Sequence, residues 1–192
     1  MKNIFTKLFC KRFGLSLVSI VCFYLAFILP VWNFQFNAPQ YPDGLELKIY
    51  LTNTTGDVQE IGIINHYIGM QKLEDAAKNE KKLVPYILVI LSVCSLALVF
   101  TSGVWLTWLL ALPILGFPVG FVSMFYFWLY KFGHELNPAA PVTMEPFTPT
   151  MFGTGIIGQF KTFSQPSIGY YFIVLAAVAT LTQIYLKRKK MS

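Results

Sequence analysis

The residues best equipped for chemistry are two histidines and three methionines: His66, Met70, His134, Met144 and Met151. The chain has no other histidine. Imidazole binds several transition metals, and thioether sulfur suits Cu(I). A thioether has no proton to lose, so such a site keeps part of its affinity in mildly acidic surroundings. His66 and Met70 are four apart and share a face if their segment is helical. Gly69, between them, weakens that helix. His134, Met144 and Met151 would have to be brought alongside by folding, and on that condition the set reads as a copper site. The alternative is structural. His66 would hydrogen-bond Asn65 or a backbone group, Met70 would pack on Tyr67, and His134 would join Glu135 and Asn137 in a polar cluster. A b-type haem between the histidines, or Glu135 and Glu145 as an acid–base pair, are weaker readings.

Other catalytic signatures are missing from the sequence. It has no phosphate-binding glycine loop, paired-cysteine metal motif, c-type haem attachment sequence or nucleophile elbow. Cys10 lies in a basic tail, and Cys22 and Cys94 lie in apolar runs. They read as packing residues rather than a disulfide framework.

The elements that would position these groups are set by hydrophobicity. Of 192 residues, 55% are hydrophobic and 12% charged, against about 25% charged in an ordinary soluble domain. Phe13–Pro42, Leu83–Tyr130 and Thr162–Leu186 contain no charged residue. A membrane span takes about 20 apolar residues. The middle stretch is too long for one span and breaks naturally at Thr101-Ser102-Gly103. The expected fold is an all-α membrane protein of four spans, 15–34, 84–101, 104–130 and 168–186. Tails 1–14 and 187–192 flank it, and loops 35–83 and 131–167 form a small α+β cap. The first span is longer than the 7–15 residues of a signal-peptide core and reads as an uncleaved helix. Pro113, Gly116, Pro118 and Gly120 predict a bend in the third span, or a helix that projects beyond the bilayer. Pro85 suits a first helical turn. Trp32, Trp105, Trp108, Trp128, Tyr130, Tyr170 and Tyr185 fall near span ends, as aromatic belts do.

The net charge of +6 would suggest nucleic acid if taken alone, but its distribution excludes that reading. The two tails carry +8, the loops together −2, and the spans none. The positive-inside rule then places both termini in the cytoplasm and both loops outside, in a multi-pass protein of the cytoplasmic (inner) membrane. Without charges in its spans, the chain is a poor candidate for ion-coupled transport. The basic tails would meet anionic lipid.

In the first loop, Leu45–Leu51 alternates apolar and polar residues as a strand does. Gly56-Asp57 marks a turn, Val58–Ile64 reads as a partner strand, and Gln71–Lys82 has helix-forming composition. Prolines 138, 141, 146, 149 and 166 predict a mostly irregular second loop. Neither loop is long enough to build a strong core alone, so the two are expected to pack together.

Three segments carry a resemblance: Ala38–Leu45 (APQYPDGL), Ile64–Met70 (INHYIGM) and Gly133–Pro138 (GHELNP). They resemble the small integral membrane proteins encoded beside nitrous oxide reductase, its copper chaperone lipoprotein and an ABC transporter. The family pattern has Asp where this chain has Glu135-Leu136-Asn137, so the second-loop segment departs from it. The resemblance implies a non-catalytic accessory protein, assisting maturation of an extracytoplasmic respiratory enzyme or its copper supply. Its partners would be membrane lipid and other membrane or extracytoplasmic proteins. Two rivals remain from the residues themselves. One is a docking subunit of a larger membrane complex, and the other a small enzyme acting on lipid headgroups.

Overall fold

The computed structural model describes the backbone of residues 2–191 and the side chains of 9–73 and 75–188. The side chains of Lys2, Lys7, Lys189 and Lys190, counted above with the basic tails, lie outside this set. Four helices are long and apolar enough to cross a membrane: α1 (Lys2–Ile28), α3 (Lys78–Phe100), α4 (Val104–His134) and α5 (Ile168–Met191). The short turn between α3 and α4 lies at one end of the bundle, with the chain termini. Everything else gathers at the other end, where α1 and α4 finish and α3 and α5 begin.

That end carries one five-stranded antiparallel sheet built by both loops. Its strands are β1 (Trp32–Ala38), β2 (Tyr41–Ile49), β3 (Thr54–Gly56), β4 (Gly153–Ile157) and β5 (Phe160–Pro166). Their order is β3-β2-β1-β5-β4. The expected joint cap is therefore present, and its central seam is β1 against β5, with Trp32 opposite Pro166 and Asn37 opposite Lys161. A short helix, α2 (Val58–Tyr67), packs under the sheet.

Several expectations are corrected. The first span was drawn to Phe34, but the helix stops at Ile28 and β1 begins at Trp32. Pro30 ends the helix, and Trp32, Phe34 and Phe36 then alternate with Asn33, Gln35 and Asn37 at the strand period of two. Hydrophobicity alone cannot separate the end of a span from an apolar strand that follows it. Val58–Ile64 is helix, not strand. Its inward residues Ile61 and Asn65 recur at helical spacing, and so short an apolar run is ambiguous by period. Of Gln71–Lys82, only a short 3-10 turn at Leu73–Asp75 and the start of α3 are helical. Because α3 begins at Lys78, Pro85 lies inside the helix rather than in its first turn. The second loop is less irregular than expected. Four of its prolines are confined to 138–149, and Pro166 is the last residue of β5, which leaves Gly153–Gln165 free to pair.

The long helix α4 is continuous through Pro113 and Pro118. Its 31 residues reach about 46 Å at 1.5 Å per residue, against a hydrocarbon core of about 30 Å. Its upper turns reach the cap, where Phe121, Phe125 and Leu129 pack against the core beneath the sheet.

The bundle is knit by small polar residues rather than charges. Ser16 donates to the carbonyl of Ser95 at 2.6 Å, Ser19 to that of Ala176 at 3.2 Å, and Gln183 to the Ser16 hydroxyl at 3.2 Å. Small side chains let helices approach closely in lipid, where hydrophobicity gives no drive between them. At the α3–α4 turn, Lys187 donates to the Gly103 carbonyl at 3.0 Å, and Arg12 reaches the Leu98 carbonyl. Two of the basic residues that read as topology signals therefore also clip this turn.

Trp32 is fully buried and is not part of an aromatic belt. Phe121, Phe125, Phe152 and Tyr170 surround its ring. Its Nε1 donates to Ser164 at 2.8 Å, and Ser164 donates in turn to the Met151 carbonyl at 2.8 Å. The chain ties sheet, bundle and second loop at one point. Replacing Trp32 by Ala should cost about 3–5 kcal/mol, read as a large fall in melting temperature in detergent. Trp32→Phe, which keeps the ring packing and loses the hydrogen bond, should fall by much less. Equal losses in the two variants would contradict this assignment.

Candidate functional site

Between the sheet and the spans lies a cavity of about 1100 Å³, just above the range of about 300–1,000 Å³ usual for small-molecule sites. Four elements enclose it, and each contributes through its own periodicity. The sheet supplies Phe34 and Phe36 of β1 with Leu47 and Ile49 of β2, the inward residues of two paired strands. From α2 come Ile61 and Ile64, and from the start of α3 come Val84 and Ile87. The fourth wall is α4, with Phe117, Phe121, Phe125, Trp128 and Phe132. Those five aromatics follow one another at intervals of four, four, three and four, a single helical stripe.

The chamber also touches the surface. Ile63, Leu83 and Met124 belong to its lining and are exposed. Leu83 and Met124 lie in the apolar segments of α3 and α4, so this opening faces the zone where a bilayer would lie. Polar groups in the lining are few. Asn65, Glu80 and Lys81 are among them, and Trp128 Nε1 is buried without a hydrogen-bond partner. An orphaned donor in an apolar wall has the chemistry to meet an acceptor carried by a guest.

The two loops meet beside the chamber. Asn137 donates its backbone N–H to the Gly69 carbonyl at 2.8 Å, and Val142 to that of Tyr67 at 3.0 Å. Gln71 donates to the Glu135 carboxylate at 2.8 Å. Ile64–Met70 and Gly133–Pro138 are thus neighbours through backbone pairing. Gly69 has φ +78°, and a Cβ there would lie 2.8 Å from the Asn137 carbonyl oxygen. At Gly133 a Cβ would collide with the backbone of Phe147. Both glycines are required for this close approach.

The five candidate metal ligands have different surroundings. The helix carrying His66 ends at Tyr67. Gly69 N–H then bonds the His66 carbonyl, and Met70 N–H the Asn65 carbonyl at 2.8 Å. This is a Schellman ending with Gly69 at C′, and it carries Met70 off the helix. His66 is exposed at the end of α2, while Met70 lines the chamber. His134 stacks on Tyr130, with ring centroids 3.8 Å apart, and its Nδ1 lies 2.9 Å from the Tyr130 carbonyl. Met144 lines the chamber, and Met151 packs against the core beneath the sheet. Among the described residues, no group of three His, Cys, Asp or Glu could hold a metal ion. The residues that sequence reasoning missed are the phenylalanines of the α4 stripe, whose spacing was legible and was overshadowed by Pro113 and Pro118. No family model matches the chain, and no curated protein matches it.

With His66 and Met70 separated in this way, replacing both by Ala should leave Cu(I) affinity in a competition titration unchanged. A loss of tenfold or more would show that the two act together.

Proposed function

We propose that the protein is a non-catalytic accessory protein of the cytoplasmic membrane that takes the hydrocarbon part of a membrane lipid into the chamber under its cap. The observation that carries this reading is the chamber itself. It is large, aromatic-walled, predominantly apolar, and open beside the apolar segments of α3 and α4. Such a lining holds and shapes a guest rather than transforming it. Both termini are cytoplasmic and the cap is extracytoplasmic, as the charge on the tails directs. The copper role implied by the resemblance has weaker support, because its ligands are dispersed between two exposed histidines, the chamber and the sheet core.

Native mass spectrometry of protein released from mild detergent tests the reading. The wild-type chain should retain a lipid. Gly120 lines the chamber with open space at its Cβ position, so Gly120→Trp should narrow the cavity and reduce retention without lowering the melting temperature. Leu109→Trp, on an exposed face of α4, should leave retention intact. Retention in Gly120→Trp equal to wild type would contradict the proposal. For orientation, an alkaline phosphatase fusion at residue 60 should be active, and an inactive fusion that is stably produced would reverse the assigned sidedness.

A further inference from the structure

A bilayer's own interior is as apolar as the chamber, so the hydrophobic effect gives a lipid chain little reason to leave one for the other. Packing against the aromatic wall can favour entry, but it cannot tell one lipid class from another. Discrimination has to come from where the headgroup would sit. Beside the chamber lies a second, polar cavity of about 390 Å³, lined by Thr52, Asn53, Thr54, Lys78, Lys81 and Lys82. The two cavities share Thr54 and Lys81, so an apolar volume borders a basic one.

We propose that the guest is an anionic, phosphate-bearing membrane lipid, its headgroup held by Thr52–Thr54, Lys81 and Lys82 and its hydrocarbon in the chamber. This rests on the reading of the chamber as a lipid site and adds which class of lipid it selects. The charge fits the assignment. The polar cavity has three lysines and no carboxylate in its lining. Lys78 is partly neutralised by Asp75, 3.8 Å away. Lys81 and Lys82 have no carboxylate within salt-bridge distance among the described residues. Glu80, on the same helix, belongs to the chamber lining and not to the polar cavity. Lys81 is half-buried and lines both cavities, and a long cationic side chain at such a boundary can lay its stem on apolar surface and keep its charge in the polar side. Threonine hydroxyls and the Asn53 amide can donate to phosphate oxygens. The position is also right. Lys78–Lys82 immediately precede the uncharged run that starts at Leu83, which puts them at headgroup depth, where each basic residue strengthens binding of anionic lipid about fivefold.

The experiment is retention of phosphatidylglycerol and of phosphatidylcholine by the full-length chain, compared by native mass spectrometry after exchange from mixed micelles. Wild type should prefer phosphatidylglycerol by about fivefold or more. Lys81→Gln should reduce the preference, Lys81→Gln with Lys82→Gln should remove it, and Lys81→Arg should restore it. Melting temperatures should stay within a few degrees throughout. The basic tails also attract anionic lipid, and the lysine variants separate their contribution from that of the cavity. A preference that survives in the double variant would overturn the assigned headgroup site. Equal retention of both lipids by wild type would overturn the headgroup inference and leave the chamber reading standing. Retention of neither would overturn both.

Discussion

The antiparallel pairing of β1 with β5 is the contact on which the rest of the molecule depends. β1 follows α1 and β5 leads into α5, two helices that pack against each other along the bundle. Their pairing therefore extends a helix contact into a sheet contact. It also joins a hairpin from the first loop to one from the second, neither of which has enough apolar surface to stand alone. Trp32 sits at the base of the seam, and its hydrogen bond to Ser164 is satisfied across it. Once the seam is closed, the inward residues of β1 and β2 have only one place to face, which is the end of the bundle.

The chamber follows from that geometry. The sheet is suspended from α1 and α5, while α3 and α4 approach from the other side. The last turns of α4 rise beyond the expected thickness of the hydrocarbon and present its aromatic stripe to the underside of the sheet. The α2 helix closes part of the gap, its end pinned to the second loop through Gly69 and Asn137. What remains is a volume roofed by β-strands, walled by aromatics and bordered by lysines. In the proposed reading this volume holds a lipid, and the polar cavity beside it would give the site a means of choosing.

Much of the fold can be read from the sequence because bilayer thickness and charge act on long segments. The three uncharged stretches and the break at Thr101-Ser102-Gly103 give four helices, and the alternation at Leu45–Leu51 gives β2. The errors fall where the same residues satisfy two environments. Trp32 and Phe34 are as apolar as the span they follow, and only the intervening Asn33 and Gln35 reveal the strand. Val58–Ile64 is too short for its period to decide. The pairing of β5 with β1 is long-range, and nothing in Phe160–Pro166 names its partner. The local geometry at Met70 was visible in the sequence: Gly69 is the C′ glycine of a helix end, not a flaw in a longer helix. In sequence, Lys78, Lys81 and Lys82 read equally as solvated or headgroup-facing charges, because the adjoining cavity exists only in three dimensions.

Photo-crosslinking in the native membrane tests the central claim most directly. Cells producing the protein are fed a fatty acid that carries a diazirine in its chain, irradiated, and the labelled peptides mapped. Lipid held in the chamber predicts labels on inward residues such as Phe36, Leu47 and Phe125, reduced in Gly120→Trp. Labels confined to the outward faces of the helices, at residues such as Leu109 and Tyr86, would show that lipid surrounds the protein without entering it.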